Sequence, residues 1–304
     1  MPATTPSREI VLPENASGRL DSLLARLLPK VSRRELKAAF RAGKVRLDGR
    51  ACRGSASASP GATVEISGLQ EAPQAPTRSV SRQVYVVHAD EHVVVVEKPA
   101  NIPAYPLTYG EGGSVSEAVL DLFPDMNGVG DQRNAPGLCH RLDVETSGLL
   151  LFARSSFAFE EIRRQFQEKK VEKIYIAAVF GLLRGEGVID VPLGRRSAKR
   201  MVAGPPETLR QWPALTRWRA LRRADNRSLV ELNLQTGVTH QARVHLAFLG
   251  HPVLGDEKYG GPPAERLGLH ASRLGFIHPV TKRSLSLHSP RDESVSGMVP
   301  ARAD

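Results

Sequence analysis

Residues 136–153, PGLCHRLDVETSGLLLFA, join a charged loop to a short apolar run. A Pro-Gly turn signal opens the stretch. Leu149 to Ala153 then has the uninterrupted apolar character of a buried strand. The polar and charged side chains between these two signals are His140, Arg141, Asp143 and Glu145. Because loops carry reactive groups on a rigid scaffold, a charged loop at the mouth of a buried strand predicts an active site.

The composition describes a folded, basic protein. The chain has 304 residues with 42 Lys and Arg against 32 Asp and Glu, and 41% of the residues are hydrophobic. This apolar fraction is ordinary for a globular protein and argues against wholesale disorder. The net charge of +10 either reflects a polyanionic partner or belongs to a basic protein without one.

The sequence predicts a protein of a reducing, cytoplasmic compartment. Cys52 and Cys139 stand far apart, without metal-ligand spacing. No apolar run approaches transmembrane length, and residues 1–9 lack the apolar core of a signal peptide. We therefore expect a cytoplasmic protein that does not bind membranes.

Residues 17–69 have the pattern of a compact module of two helices and a hairpin. Leu20 to Leu28 repeats leucine at helical spacing, with Ser17 as a candidate N-cap. Residues 31–41 predict a second helix, which begins with a capping box at Ser32 and carries a basic polar face. Asp48-Gly49 is a hairpin turn signal. A basic helix that only faces solvent is the alternative interpretation of this face.

The module resembles the S4 RNA-binding domain. The resemblance rests on Arg19-Leu20-Asp21, Ser32-Arg33-Arg34 and Gly43-Lys44-Val45-Arg46-Leu47-Asp48-Gly49. It implies that the second helix and the following turn contact RNA. The side chains that it implicates are Arg33, Arg34, Lys37, Arg41 and Lys44.

The rest of the chain predicts one larger domain between flexible segments. We expect tails at residues 1–16 and 291–304, a Pro-rich linker at residues 70–83 and the main domain at residues 84–290. Strands outnumber helices there, and several are joined by hairpins, while the basic segment Arg195 to Pro206 has the composition of a loop. The predicted class is α+β, with a mixed, largely antiparallel sheet in the main domain and a small α/β module before it.

Three positions are candidates for chemistry. Asp143 lies two residues after Arg141, whose charge would keep the carboxylate ionised for a role as nucleophile or base. A structural Asp-Arg pair is the alternative. Tyr175 follows Lys173 on a predicted strand, where a tyrosine either fills the core or stacks on a nucleobase.

The third candidate is the segment from Thr236 to Leu246, which predicts the start of a helix with Thr239 as its N-cap. Arg243 lies one turn into this helix and could reach a carboxylate on another loop. His240 and His245 are five residues apart and do not share a helix face, so we expect no metal site.

Four motifs in order resemble the RluA-type family of RNA pseudouridine synthases. They are His140-Arg141-Leu142-Asp143-x-x-Thr146-Ser147-Gly148-Leu149, Lys173-x-Tyr175, Thr236-Gly237-x-Thr239-His240-Gln241-x-Arg243-x-His245 and Leu249-Gly250-His251-Pro252-Val253-Leu254-Gly255-Asp256-x-x-Tyr259-Gly260. The resemblance covers about Val84 to Pro290. An S4-like module is a common accessory in this family.

The resemblance implies a pseudouridine synthase fold and a role for each site residue. Asp143 would be the catalytic aspartate, which acts on the ribose or on the uracil ring. Tyr175 would pack on the uracil, and Arg243 would pair with Asp143. The residues implicated in substrate binding are Arg141, His140, Thr239, His240 and Gln241. The target uridine would have to leave its stack.

The reaction implied is an isomerisation without net redox change, so no cofactor or metal is expected. The S4-like module favours large-subunit ribosomal RNA as the substrate, with transfer RNA as an alternative and a monomer as the expected state. A non-catalytic RNA-binding or ribosome-assembly factor is the alternative from another class. Val238, Ala242 and Asn101 depart from the usual family residues, so the resemblance does not carry the target selection of relatives over to this chain.

Overall fold

The computed structural model describes residues 7–14, 16–28, 31, 33–68, 83–106, 112–131, 134–197 and 200–300. The chain divides into two compact units. The smaller unit comprises Met1–Arg78 with Pro106–Gly112, and the larger comprises Ser79–Tyr105 with Gly113–Asp304.

The smaller unit is a four-stranded antiparallel sheet with two helices. Its elements are β1 (Ser7–Val11), α1 (Leu20–Leu27), α2 (Arg33–Arg41), β2 (Val45–Leu47), β3 (Arg50–Ala51) and β4 (Thr63–Ser67). The strand order is β1-β4-β2-β3. Leucines of α1 pack with alternate residues of β2 and β4, and Leu20, Leu24, Val45, Val64 and Ile66 are fully buried.

Two predictions for this unit are wrong and one is confirmed. The expected N-terminal tail contains β1, because its backbone supplies the edge partners of β4 over five residue pairs. Helix α1 begins after Arg19 rather than at Ser17, and no side chain caps it. The turn at Asp48-Gly49 joins β2 to β3, with both residues at positive φ as a tight hairpin requires. Ser32 lies outside the described residues. The predicted linker does too, except for residue 83.

The larger unit is built on a nine-stranded sheet and a separate three-stranded sheet. Its strands are β5 (Tyr85–Ala89), β6 (Val93–Lys98), β7 (Ser147–Ala153), β8 (Glu172–Phe180), β9 (Glu186–Asp190), β10 (Leu193–Ser197), β11 (Arg200–Ala203), β12 (Gln211–Trp212), β13 (Leu215–Ala224), β14 (Arg227–Leu234), β15 (Leu269–Ile277) and β16 (Ser284–His288). Its helices are α3 (Val115–Leu122), α4 (Ser156–Gln167), α5 (Gln241–Phe248) and α6 (Glu293–Ser296), with single 3₁₀ turns at Pro124–Met126 and Glu257–Tyr259.

The large sheet has the order β5-β6-β7-β15-β8-β14-β13-β9, with β16 paired to β15. Every pair in it is antiparallel except β7 with β15. The fold is therefore α+β with a mixed, largely antiparallel sheet, as the sequence predicts.

Alternate residues of the central strands bury opposite faces of the sheet. Leu150 and Phe152 of β7 pack with α3 and α5 on one face. Leu149 and Leu151 pack with α4 on the other. Because β7 is covered on both faces, all seven of its residues are buried, which explains its continuous apolar run.

A glycine permits the one parallel contact. Gly148 has φ +118°, and a Cβ there would lie 2.3 Å from the carbonyl oxygen of Ala271. Only glycine allows the start of β7 to approach β15 this closely. The loop that precedes β7 is thereby held against the centre of the sheet.

Two further predictions are wrong in this unit. The expected loop from Arg195 to Pro206 contains the β10–β11 pair, whose exposed basic residues conceal the alternation while Leu193 and Met201 are buried. The expected C-terminal tail contains α6, and Val295 and Val299 are fully buried against the sheet. Within the described part of the chain, no helix combines the length and apolarity needed to cross a membrane.

Candidate active site

The charged loop before β7 is fixed at both ends by backbone pairing. The backbone N–H of Ala153 donates to the Gly137 carbonyl oxygen at 2.8 Å, and that of Cys139 donates to Leu151 at 3.0 Å. The Nε2 of His140 accepts from the Leu151 N–H at 3.1 Å. Burial and the nearby Lys173 lower the pKa of His140 to about 3, so the ring is neutral and can accept this bond.

A buried lysine fixes the middle of the same loop. Lys98 is fully buried at the end of β6. Its Nζ donates to the carbonyl oxygens of Pro99, Ile102 and Val144 at 2.9, 2.6 and 2.8 Å. These three acceptors match the three N–H donors of an ammonium. Burial lowers the pKa of Lys98 to about 7, while the carboxylates of Asp143 and Glu145 oppose that shift.

Asp143 lies opposite a guanidinium that two other carboxylates also bind. Arg243 donates through Nε and Nη2 to the two carboxylate oxygens of Asp256, each at 2.7 Å. Its remaining nitrogen, Nη1, lies 3.5 Å from Asp143 Oδ2 and 3.3 Å from Glu145 Oε2. Burial would lower the pKa of Arg243, but Asp256, Asp143 and Glu145 outweigh burial and raise it above the ordinary value. Arg243 thus stays charged and presents one edge to Asp143.

Helix α5 begins one residue later than predicted, because His240 and not Thr239 is its N-cap residue. Its N-cap is His240, in the left-handed conformation with φ 58°, and no side chain caps the helix. His240 Nδ1 lies 2.6 Å from the Tyr259 hydroxyl, and Nε2 lies 3.9 Å from Asp143 Oδ2. Burial lowers the pKa of His240. His240 itself has this left-handed conformation, and its ring lies between the Tyr259 hydroxyl and the Asp143 carboxylate.

Gln241 supports the turn that precedes α5. Its Oε1 accepts from the Thr236 hydroxyl at 2.8 Å and the Val238 N–H at 3.1 Å. Its Nε2 donates to the Leu215 carbonyl and the Thr216 hydroxyl, both at 3.0 Å. Both ends of its amide are therefore occupied by the protein itself, and the contact of Gln241 with substrate stays a prediction.

Tyr175 lies on β8 beside Asp143. The residue is 9% exposed, and it pairs across the sheet with Leu232 and Ala271. Burial and the charge of Asp143 raise the pKa of Tyr175 above its ordinary value. The phenol is therefore protonated at neutral pH.

These side chains line one cleft of about 570 Å³ in the larger unit. All eight catalytic and substrate-binding candidates border it: His140, Arg141, Asp143, Tyr175, Thr239, His240, Gln241 and Arg243. Its other basic lining residues are Arg163, Lys169 and Lys173. Burial lowers the pKa of Lys173 to about 8. A volume of this order accommodates a nucleoside-sized ligand.

Arg141 lies at the cleft against an aromatic ring. Its Nη1 donates to the Tyr105 hydroxyl at 2.6 Å, and its guanidinium carbon lies 5.3 Å from the centroid of that ring. Arg141 is exposed, so its free face can meet a ligand. It does not pair with Asp143 in the hydrogen bonds and ion pairs of the described residues, where Arg243 does so instead.

The predicted RNA-contacting residues of the smaller unit lie around α2. Lys37, Arg41 and Lys44 are exposed. Lys37 and Arg41 border a second cleft of about 680 Å³ together with Phe40 and Arg53. Arg33 begins the helix. The side chains of Arg33 and Arg34 lie outside the described part of the chain.

Three site residues received no role from the sequence: Lys98, Asp256 and Tyr259. Asp256 and Tyr259 fall inside the fourth motif, but only the fold shows that they contact Arg243 and His240. Within the described residues, no group of three or more His, Cys, Asp or Glu side chains could hold a metal ion.

Comparisons with known proteins identify the family of this chain. A family model described as RNA pseudouridylate synthase matches residues 92–248. Ribosomal large subunit pseudouridine synthase D of Pseudomonas aeruginosa is 32% identical over 90% of this chain and 89% of its own length. An RNA pseudouridine synthase of Chloroflexus aurantiacus is 36% identical over 92% of this chain and 89% of its own.

A solved structure shares the fold. Human RNA Pseudouridylate Synthase Domain Containing 1 superposes with a TM-score of 0.59 at 27% identity, over 72% of this chain and 89% of its own. The motifs, the cleft that unites them and these matches agree, and the chain belongs to the RluA-type family of RNA pseudouridine synthases.

Proposed function

We propose that this chain converts uridine to pseudouridine in large-subunit ribosomal RNA, with Asp143 as the reacting carboxylate. One observation carries the proposal: Asp143 lies between the charged Arg243 and the buried Tyr175, in a cleft rimmed by basic side chains. Several relatives that match most of this chain are named ribosomal large subunit pseudouridine synthase D. That name supports the choice of ribosomal over transfer RNA.

The reaction rearranges bonds within one nucleotide. The N1–C1′ bond of the target uridine breaks, the uracil turns, a C5–C1′ bond forms, and C5 loses its proton while N1 regains one. Atoms and electrons balance without a co-reactant. The uridine must leave its stack before a carboxylate at the floor of a cleft can reach it, so the proposal includes base flipping.

Each site residue has a distinct part. Arg243 gives the Asp143 carboxylate a positively charged neighbour, and Asp256 holds Arg243 in place. Tyr175 offers its ring to the uracil. Burial and the charge of Asp143 both raise the pKa of Tyr175, so its phenol ionises more readily once that carboxylate has formed a covalent bond, and the resulting phenolate can accept the C5 proton. Arg141 and Tyr105 present a flat cationic surface at the cleft, on which a neighbouring base can stack.

The smaller unit supports the choice of a structured RNA. We propose that α2 and the turn after it contact the phosphate backbone through Lys37, Arg41 and Lys44, as the resemblance to the S4 domain implies. Their exposure leaves the charges available to phosphates.

A substrate panel tests the proposal. The purified chain is incubated with unmodified transcripts of large-subunit ribosomal RNA, small-subunit ribosomal RNA and transfer RNA, and pseudouridines are mapped in each. We expect modification at defined uridines of the large-subunit RNA. Product only in transfer RNA would overturn the choice of substrate, and no product in any RNA would favour a non-catalytic RNA-binding factor.

A further inference from the structure

Five polar side chains form a continuous chain beneath the loop that carries Asp143. Ser147 Oγ lies 2.7 Å from His270 Nδ1, and His270 Nε2 lies 2.8 Å from Ser289 Oγ. Ser289 Oγ lies 2.8 Å from Glu97 Oε2. At the other end, Arg266 Nη2 donates to Ser147 Oγ. None of the family motifs quoted from the sequence includes Glu97, Arg266, His270 or Ser289.

The contacts and the neutral ring of His270 set the direction of the hydrogen bonds. Arg266 can only donate, so the Ser147 oxygen accepts from it. Ser289 donates to Glu97, so its oxygen accepts from His270 Nε2–H. Burial and the charge of Arg266 lower the pKa of His270 to about 4, so the ring is neutral. Its Nδ1 then carries no proton and accepts from the Ser147 hydroxyl.

The chain is buried along its length between the two charges. Glu97, Ser147, His270 and Ser289 are 2%, 4%, 0% and 9% exposed. In such a low-dielectric setting, aligned hydrogen bonds polarise one another, and an interrupted chain leaves buried polar groups unsatisfied. The arrangement therefore strongly favours one geometry.

Two members of this hydrogen-bonded series, Ser147 and Glu97, adjoin the residues that hold the Asp143 loop in place. Ser147 directly follows the loop, at the residue where β7 begins. Glu97 precedes Lys98, whose ammonium holds the Val144 carbonyl at 2.8 Å. His270 pairs with Ser147 in the parallel β7–β15 contact that Gly148 permits.

We propose that Arg266, Ser147, His270, Ser289 and Glu97 act as a positioning relay, which fixes the loop so that Asp143 meets the flipped uridine. The inference rests on the proposed function, because it assumes that Asp143 reacts. Ser289 is the member that best tests positioning, because its hydroxyl bonds to Glu97, His270 and the backbone of Arg291. It therefore acts on the loop only through its neighbours.

Turnover of Ser289→Ala tests the relay against a matched buried serine. Ser228 is fully buried, and its hydroxyl bonds to the Gly181 carbonyl and the Leu183 N–H, away from the relay. We expect Ser289→Ala to lower kcat by about tenfold or more, which is the scale of effect when hydrogen bonds that hold active-site residues in place are lost. KM should stay within about twofold. Ser289→Thr, which keeps the hydroxyl, should restore most of kcat, and Ser228→Ala should keep it.

The outcomes separate the relay from the proposed function. A wild-type protein without product overturns the proposed function. With an active wild type, an unchanged kcat in both Ser289→Ala and Ser147→Ala overturns the relay. An equal loss of kcat in Ser228→Ala also overturns the relay, because general destabilisation of the fold would then explain the loss in Ser289→Ala. Nitrogen-15 NMR of the folded protein should show His270 as the Nε2–H tautomer at pH 6, and a titrating or Nδ1–H ring would contradict the relay.

Discussion

Arg243 divides its five N–H donors unequally among three carboxylates. Asp256 receives two short bonds, whereas Asp143 and Glu145 share one nitrogen at 3.5 and 3.3 Å. The planar guanidinium is thus anchored by Asp256 and only touches Asp143. The Asp143 carboxylate thus has a positively charged neighbour but no short hydrogen bond to it, which suits the reactive role that we propose for it.

Asp256→Asn should reduce turnover and stability together. The amide cannot accept both N–H bonds, so Arg243 shifts and Asp143 loses its fixed counter-charge. We expect the free energy of unfolding to fall by about 2 kcal/mol, the scale of a hydrogen bond to a charged group, and kcat to fall more than about tenfold.

The control for this variant is Asp125→Asn, which removes a half-exposed carboxylate paired with Arg154 at 2.9 Å. An exposed pair of this kind contributes about 0–1 kcal/mol. Denaturant unfolding and single-turnover assays measure both variants. Equal small effects for Asp256 and Asp125 would contradict the anchoring role.

The sequence predicts the residues that line the cleft better than the residues that hold them. Asp143, Tyr175 and Arg243 belong to contiguous motifs and are found together in the cleft. Lys98 instead acts through Val144, forty-six residues later in the chain. A lysine whose partners are all backbone carbonyls leaves no pattern in the sequence.

The parallel β7–β15 contact depends on Gly148. A methyl group there would meet backbone atoms of Ala271 between 2.3 and 2.7 Å away, and φ is +118°. Gly148→Ala should lower the free energy of unfolding by clearly more than about 1 kcal/mol and reduce kcat, because the Asp143 loop leads directly into the start of β7.

Gly128→Ala is the matched control for the steric part of this effect. Gly128 also has a positive φ, +84°, but nothing lies within 4 Å of a Cβ built there. The difference between the two variants isolates the close backbone approach from the strain at positive φ. Thermal unfolding that shifts equally in both would contradict a special role for the β7–β15 contact.

Asp90, between β5 and β6, should make the stability of the fold sensitive to acid. Burial acts to raise the pKa of Asp90, but the N–H groups of His92 and Val93 and the side chains of His88 and His278 lower it to about 2. A depressed carboxyl pKa adds stability above the unfolded value near 4, and this contribution is lost as the pH falls through about 2.

The stability difference between wild type and Asp90→Asn measures this contribution. We expect the wild type to be the more stable of the two at pH 5 and this difference to shrink between about pH 4 and 2. A difference that does not change across this acidic range would show that the carboxylate charge is not what stabilises the turn.

Elements with a clear apolar period are predicted correctly, and the exceptions share a physical cause. Strand β7 and helix α1 match their apolar patterns. The β10–β11 pair and β1 do not, because both are largely exposed and owe their structure to backbone pairing with neighbours. Partners distant in sequence leave no local signal.

The two units divide the proposed work between chemistry and RNA affinity. The smaller unit contributes exposed charge at Lys37, Arg41 and Lys44. Replacing all three by Gln should weaken RNA binding and reduce the slope of log K against log salt by about 2–3, since each lost phosphate contact removes about 0.7–0.9. Affinities measured across a range of salt concentrations give this slope.

The free energy of unfolding is the control for the triple variant. Exposed substitutions should change it by less than about 0.5 kcal/mol, so a weaker complex would not reflect a damaged fold. An unchanged salt slope would remove the smaller unit from the RNA interface. A large fall in kcat at saturating RNA would show instead that these lysines and this arginine act on the reacting nucleotide.

Pseudouridine formation by Asp143→Asn, measured beside RNA binding by the same variant, is the most direct test of the proposed chemistry. The amide has nearly the shape of the carboxylate but no charge or nucleophilic oxygen, and Arg243 keeps its bonds to Asp256. We expect no pseudouridine in large-subunit ribosomal RNA and an affinity for that RNA close to the wild-type value. Product formed at a wild-type rate would contradict the assignment of Asp143 as the reacting group.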